Sequence, residues 1–372
     1  MALTIDTKPY LLLCNISRIT KNTKPEQKIK LRLATKAFNT IPGSLMTLDA
    51  QPVLFIFPGQ GSQYPGMGKD LFDAFSSVRD IYTESSDVLG YDIAALSFDD
   101  PKDQIHLTRF TQPVLLTHSI ACLNLFQEQL STRITPRAAA GHSLGEYTAL
   151  VASGALDFAS ALRLVNERGR LMGELGEGEM EALPLEFQDA KIIAEKHYCA
   201  VAACNLPDQT VVGGRAADLD SLIEEFGIHF PEKRSARLKT EGAFHTFYMI
   251  ETAMKFRSTL ANAPLQAPSV SVLSNASGAF HTKDPDAIRA ALFIQLFNPV
   301  LWNANLNHAV ENGCLAIIEF GGGIGKGQGP AEKKPNLAGI VKKTFRRHDN
   351  PPQYSSVINI DTLEKSITLC TT

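Results

Sequence analysis

No apolar run in this 372-residue chain approaches the ~18–20 residues that cross a bilayer as a helix. Membrane spanning is therefore not expected. The six cysteines, Cys14, Cys122, Cys199, Cys204, Cys314 and Cys370, form no CxxC pair, and no histidines stand beside them at metal-ligand spacing. That spacing gives no support for a zinc site, a disulfide framework is not expected in a chain of this length, and reduced, buried thiols in a cytoplasmic protein are expected. There is no excess of basic charge: 36 Lys+Arg against 39 Asp+Glu give −3. A general nucleic-acid-binding surface is not implied. Repeats and low-complexity tracts are absent too. What remains is an ordinary globular composition, 44% hydrophobic and 20% charged, with ample material for a core.

Charge is uneven along the chain. Residues 1–50 hold eight Lys/Arg and three Asp/Glu, so +5, which leaves −8 for the rest. Their Thr, Asn and Lys content and lack of period predict a poorly ordered leader. Tyr10–Cys14 is too short for a signal-peptide core with proper flanks. Folding signals begin at Val53-Leu-Phe-Ile-Phe57, a strand stopped by Pro58-Gly59. Helical patterns run over Leu71–Leu89 and Gln112–Leu130. Arg137–Gly141 reads as a buried strand, with a helix from Glu146. Strands alternating with helices predict an α/β fold with a largely parallel sheet. After the Gly- and Glu-rich Gly173–Pro184, short strands (Ala200–Asn205, Thr210–Val212) and a helix (Ala217–Phe226) predict a small inserted α+β unit. The expected organisation is a leader over 1–50, a large subdomain over 51–175 and 241–345, a small subdomain over 176–240, and a C-terminal tail over 346–372.

The sharpest chemical signal is Gly141-His-Ser-Leu-Gly145, a G-x-S-x-G nucleophile elbow. Such an elbow lifts the Ser143 hydroxyl above a strand-to-helix turn. It also aims the Leu144 N–H, at a helix N-terminus, where an oxyanion would form. A serine needs a base. Among nine histidines, His142 is pointed away by the elbow itself. His245, in Gly242-Ala-Phe-His-Thr246, opens a helical stretch where the chain returns from the inserted unit; on setting alone it is one candidate among several. Gly59-Gln-Gly-Ser-Gln63 follows the first strand, where ligand-binding loops leave α/β sheets. Its backbone N–H groups could complete an oxyanion hole. Gly321–Gly329 fails the G-x-G-x-x-G and Walker A tests and is left without chemistry.

Together these segments resemble the malonyl-CoA:acyl carrier protein transacylases and the acyltransferase domains of polyketide synthases. The matching stretches are Phe57–Gln63, Thr111-Gln-Pro113, Gly141–Tyr147, Asn166–Met172, Asn205-Leu-Pro207, Gly242–His245 and Asn298–Trp302, in the family's order over about residues 52–345. The resemblance implies an α/β-hydrolase-like large domain with a small ferredoxin-like insertion. It implies that Ser143 is acylated, that His245 is the base, and that the backbone N–H groups of Gln60 and Leu144 hold the oxyanion. Arg168 would pair with the malonyl carboxylate, His142 and Phe244 would line the substrate pocket, and the backbone carbonyl near Leu301 would orient the histidine ring. Partners would be malonyl-CoA and an acyl carrier protein, with no metal or redox cofactor, no nucleic acid, and a monomer expected. Departures from the family pattern at Gly178–Leu185 and a shortened small subdomain bear on acceptor choice, and Gly321–Gly329 stands where the family has a short Gly-Pro-Gly turn. Two alternatives follow: an acyl-thioester hydrolase, which would not need Arg168, and a noncatalytic docking protein. The basic run Lys233, Arg234, Arg237 and Lys239 is the expected landing point for an acidic carrier protein.

Overall fold

The computed structural model describes residues 51–371, so the reading of residues 1–50 lies outside the described residues. Among the described residues, nine strands occur in two sheets. In chain order they are β1 (Val53–Phe57), β2 (Ala138–Gly141), β3 (Glu179–Leu183), β4 (Ala200–Leu206), β5 (Gln209–Gly214), β6 (Ala236–Leu238), β7 (Ser271–Val272), β8 (Ala316–Phe320) and β9 (Gln353–Val357).

The large sheet is parallel throughout, in the order β7-β2-β1-β8-β9. Its middle strands β1, β2 and β8 are buried at every position and apolar on both faces except for Glu319 in β8. That pattern is the mark of a parallel sheet covered by helices on both sides. The chain starts at central β1, moves to β2 and β7 on one side, then crosses to β8 and β9 on the other. Ligands bind such sheets at the carboxyl ends of the strands, near the reversal. Here the turn at Pro58–Gln60 follows β1, Ser143 follows β2 and Asn275 follows β7.

The smaller sheet is antiparallel, in the order β4-β5-β3-β6. Helix Phe187–Lys196 joins β3 to β4, and helix Ala216–His229 joins β5 to β6. This is the βαββαβ plan of a ferredoxin-like unit. It has its own core of Leu183, Leu185, Ile193, Val201, Val212, Leu222 and Phe226. The irregular sequence at Gly178–Leu185 still makes a regular strand, β3, at the centre of this sheet. Gly178 enters it with φ +80°, and a Cβ there would stand 2.5 Å from the Gly214 carbonyl oxygen.

Two expectations change. The helical pattern over Leu71–Leu89 is two helices, Lys69–Ala74 and Ser76–Leu89, because Phe75 takes an extended conformation (φ −126°, ψ 130°) and buries its ring. The segment read as a C-terminal tail instead supplies β9, paired with β8, and helix Ile360–Thr371. Its weak apolar pattern conceals a polar interior: Ser355 and Ser366 exchange a 2.5 Å hydroxyl bond, and Ser366 donates to the Ser356 carbonyl. Among the described residues no helix is long and apolar enough to cross a membrane.

Candidate active site

The elbow has the geometry its spacing demands. Ser143 has φ +52°, a left-handed conformation that costs a non-glycine residue of order 1 kcal/mol or more. Flanking glycines make the turn possible. A Cβ on Gly141 would sit 1.7 Å from the Gly145 carbonyl carbon, and one on Gly145 would sit 2.3 Å from the Phe57 carbonyl oxygen. The strain is held in place from outside the turn. Ser143 N–H donates to Asn275 Oδ1 (2.6 Å), and the Ser143 carbonyl accepts from Gln295 Nε2 (2.9 Å). Leu144 is the N-cap of helix Gly145–Ala152, and its amide precedes the first bonds of the turn, which Gly145 and Glu146 donate to the His142 and Ser143 carbonyls.

His245 meets the serine. Its Nε2 accepts from the Ser143 hydroxyl at 2.7 Å, while its Nδ1–H donates to the Gln295 carbonyl at 2.7 Å. A carbonyl only accepts, so the proton is placed on Nδ1 and Nε2 is left as the acceptor a base requires. The orienting carbonyl is that of Gln295, which corrects the expectation of Leu301. Gln295 is the last residue of helix Pro285–Gln295, where carbonyls lack intrahelical partners. Leu301 instead caps the next helix, and its N–H donates to the Asn275 carbonyl. Burial, seconded by the positive charge of Arg168, pushes the His245 imidazole down to about 3. The ring therefore stays neutral at physiological pH.

Arg168 comes from helix Phe158–Glu174 and is 1% exposed. Its guanidinium donates to Gln112 Oε1 (2.9 Å), Gln295 Oε1 (2.9 Å) and the Ser143 hydroxyl oxygen (3.2 Å), and lies over the Tyr147 ring at 5.3 Å. No carboxylate touches it among the described residues, and its Nε has no partner. Burial lowers the Arg168 pKa, yet an arginine remains charged in proteins. A buried cation with only neutral contacts, one of them the nucleophile, is a seat for an anionic group brought by a ligand.

Above these residues opens a cleft of about 380 Å³ between the two sheets. Gln60, Leu144 and Phe244 line it from the large domain; Met180, Val211 and Leu238 line it from the small one. The Gln60 side chain is turned aside to the Thr108 hydroxyl (Nε2 to Oγ1, 3.0 Å), while Thr108 N–H donates to the Glu241 carboxylate. The loop carrying Gln60 is tied down by Ser62 Oγ donating to the Gly59 carbonyl and by Gly323 N–H donating to the Ser62 carbonyl. Gly321–Gly329 thus braces this loop. His142 also borders the cleft, but its Nε2 is committed to Asn205 Oδ1 (2.8 Å) and its ring packs edge-on against Trp302. Four residues to which the sequence reading gave no role complete the site: Asn275, Gln295, Glu146 and Gln112. Glu146 and Gln112 lie inside quoted motifs, while Asn275 and Gln295 carry no local signal.

The sequence of this chain matches the acyl transferase domain family over residues 54–321. The chain belongs to the acyltransferase family of the malonyl-CoA:acyl carrier protein transacylases. It is 36% identical over 304 residues to the malonyl CoA-acyl carrier protein transacylase of Bacillus subtilis, covering 79% of this chain and 91% of that one. It is 34% identical to a polyketide-biosynthesis malonyl CoA-acyl carrier protein transacylase of Bacillus velezensis, covering 73% and 93%. Among solved structures, the transacylase of Coxiella burnetii superposes with a TM-score of 0.78 at 29% identity, over 89% of this chain and all of that one. A type II polyketide synthase malonyl-transacylase solved with its acyl carrier protein superposes with a TM-score of 0.75 at 30% identity, over 85% and 99%. Family members are enzymes, and this chain is an acyltransferase with the family's fold.

Proposed function

We propose that the chain transfers a malonyl group from malonyl-CoA to the phosphopantetheine thiol of an acyl carrier protein through a Ser143 ester. The observation that carries this is the juxtaposition at one oxygen: Ser143 Oγ lies 2.7 Å from a neutral imidazole nitrogen and 3.2 Å from a buried guanidinium. The first is what a nucleophile needs, and the second is what an acyl group with a free carboxylate needs.

Neutral His245 takes the hydroxyl proton as Ser143 attacks the thioester carbonyl. The backbone N–H groups of Gln60 and Leu144 receive the developing oxyanion. Collapse expels coenzyme A as a thiol, with the proton returned by His245. The carrier thiol then enters the cleft, gives its proton to His245 and attacks the ester; the proton passes back to Ser143 as the product leaves. The malonyl carboxylate takes the guanidinium N–H that points at Ser143 in the free site, and Phe244 narrows the pocket beside the base. Every proton and charge has a named protein group, so the reading needs no metal or redox cofactor. It is read as acting as a monomer in the cytoplasm, where the free thiols of Cys122, Cys199, Cys204, Cys314 and Cys370 are stable.

The carrier-docking reading loses one residue. Arg237 is held by Glu179, Glu181 and Asp220, so it braces the small sheet. Lys233, Arg234 and Lys239 remain as exposed docking cations. Intact-mass spectrometry after incubation with malonyl-CoA, with and without carrier protein, tests the function. An acyl-enzyme discharged only by carrier protein is expected; discharge to water alone would make the chain a hydrolase.

A further inference from the structure

Glu146 follows the elbow serine by three residues, is wholly buried, and touches neither Ser143 Oγ nor His245. Its carboxylate accepts three N–H groups. Oε1 takes His281 Nε2 at 2.6 Å; Oε2 takes Gln295 Nε2 at 2.8 Å and Asn275 N at 3.1 Å. The bond to Gln295 has a consequence for the rest of the site. An amide side chain has a donating and an accepting end that can exchange by a flip. A carboxylate accepts only, so Nε2 must face Glu146 and Oε1 must face the other way. That other way is Arg168, whose guanidinium donates to Gln295 Oε1 at 2.9 Å. With the amide reversed, its NH₂ would oppose the guanidinium and the bond would be lost. The same Nε2 also steadies the strained Ser143 carbonyl at 2.9 Å.

We propose that Glu146 is a positioning residue that selects the acyl group by fixing the orientation of the Gln295 amide. Arg168 is thereby held over Ser143 by an acceptor that cannot turn into a donor. Glu146 also supplies a carboxylate one amide away from a buried cation that no carboxylate touches, so Arg168 is electrostatically supported while its Ser143-facing N–H stays available to the ligand. His281 in turn fixes the carboxylate. This rests on the malonyl-transfer reading above.

The test is a double-mutant cycle read as the ratio of self-acylation kcat/KM for malonyl-CoA and acetyl-CoA. Glu146→Gln can donate as well as accept, so it removes one of the two accept-only partners, Glu146 and the Ser143 carbonyl, that hold the amide against a flip. Gln295→Met removes the amide but keeps its approximate volume and the backbone carbonyl that His245 uses. Each single variant should lower the malonyl-to-acetyl ratio by roughly tenfold or more, about the worth of one charge-assisted bond, chiefly through KM for malonyl-CoA. In the Gln295→Met background, Glu146→Gln should change the ratio no further. An unchanged ratio in Glu146→Gln, or ratio effects that multiply in the double variant, overturns the proposal. Where Glu146→Gln does not fold, Gln295→Met alone decides: a retained ratio overturns, a lost ratio supports. If the wild-type chain forms no malonyl ester at all, the function reading itself fails, which this experiment separates from a failure of Glu146.

Discussion

Replacing Arg168 with alanine probes the selectivity of the site. In the free protein the guanidinium satisfies two buried amide oxygens, Gln112 Oε1 and Gln295 Oε1, and the Ser143 hydroxyl. Truncation strands both amide oxygens, at about 1–3 kcal/mol each, partly offset by no longer burying a cation without a counter-charge. A modest loss of stability should follow, readable as a lower Tm. The effect on substrate is larger and differential. A malonyl carboxylate gains one or two charge-assisted bonds of roughly 1.5–3 kcal/mol each, which acetyl lacks. Loss of about 3–6 kcal/mol for a bidentate pair is a fall of roughly 10²–10⁴ in kcat/KM for malonyl-CoA. Acetyl-CoA loses nothing specific and gains a site without an unpaired cation, so its kcat/KM should hold or rise. Arg168→Lys should fall in between, because a point charge cannot serve Gln112, Gln295 and the ligand together. The assay is single-turnover acylation with both thioesters. Equal losses for the two substrates would mean general damage, and malonyl preference surviving in Arg168→Ala would refute the reasoning.

Three further outcomes are expected. His245→Ala should slow acylation by roughly 10²–10⁴-fold, the usual worth of a positioned base, without changing the far-ultraviolet spectrum; a rate near wild type would remove His245 from the mechanism. Burial holds the His245 pKa at about 3 and that of His118 at about 4, against 6.5 for the free side chain. Between those values and 6.5 the unfolded chain binds protons that the folded one refuses, so these two groups make stability fall as pH drops below 6.5, with no contribution above it. Denaturant titrations from pH 5 to 8, compared with His118→Gln, check the sign; a His118 contribution that grows toward acid would contradict it. Lys233→Ala with Arg234→Ala should slow transfer to an acidic carrier protein in a salt-dependent way and leave self-acylation intact, whereas Arg237→Ala should not share that salt dependence. Its ion pairs are partly exposed and contribute little individually.

Local chemistry was readable where geometry forces a residue type. Gly141 and Gly145 are required by close approach of backbone, so Ser143 could be placed from spacing alone. The buried strands β1 and β2 announced themselves by apolar runs. β9 did not, because an edge strand whose buried residues are two serines and a single valine shows no apolar period. The partners of the dyad were the least legible. Asn275 acts after a two-residue strand, β7, and Gln295 acts as much through its main chain as through its side chain. A backbone carbonyl carries no residue signature, which is why Leu301 could be expected in place of Gln295. Arg237 was misread for a related reason: a basic run in sequence does not reveal the acids that β3 and helix Ala216–His229 bring beside it. Arg168 was named by the family resemblance, and the fold adds that it is buried against the nucleophile.

The central claim is a malonyl ester on Ser143 that an acyl carrier protein discharges. Purified protein is mixed with malonyl-CoA, digested and mapped by mass spectrometry, with Ser143→Ala as the control and holo carrier protein added in a second arm. The account predicts a malonyl adduct on the peptide carrying Ser143, none in Ser143→Ala, and its transfer to the carrier thiol. An adduct on a different residue, persistence of labelling in Ser143→Ala, or loss of the adduct to water at the same rate with and without carrier protein would contradict it.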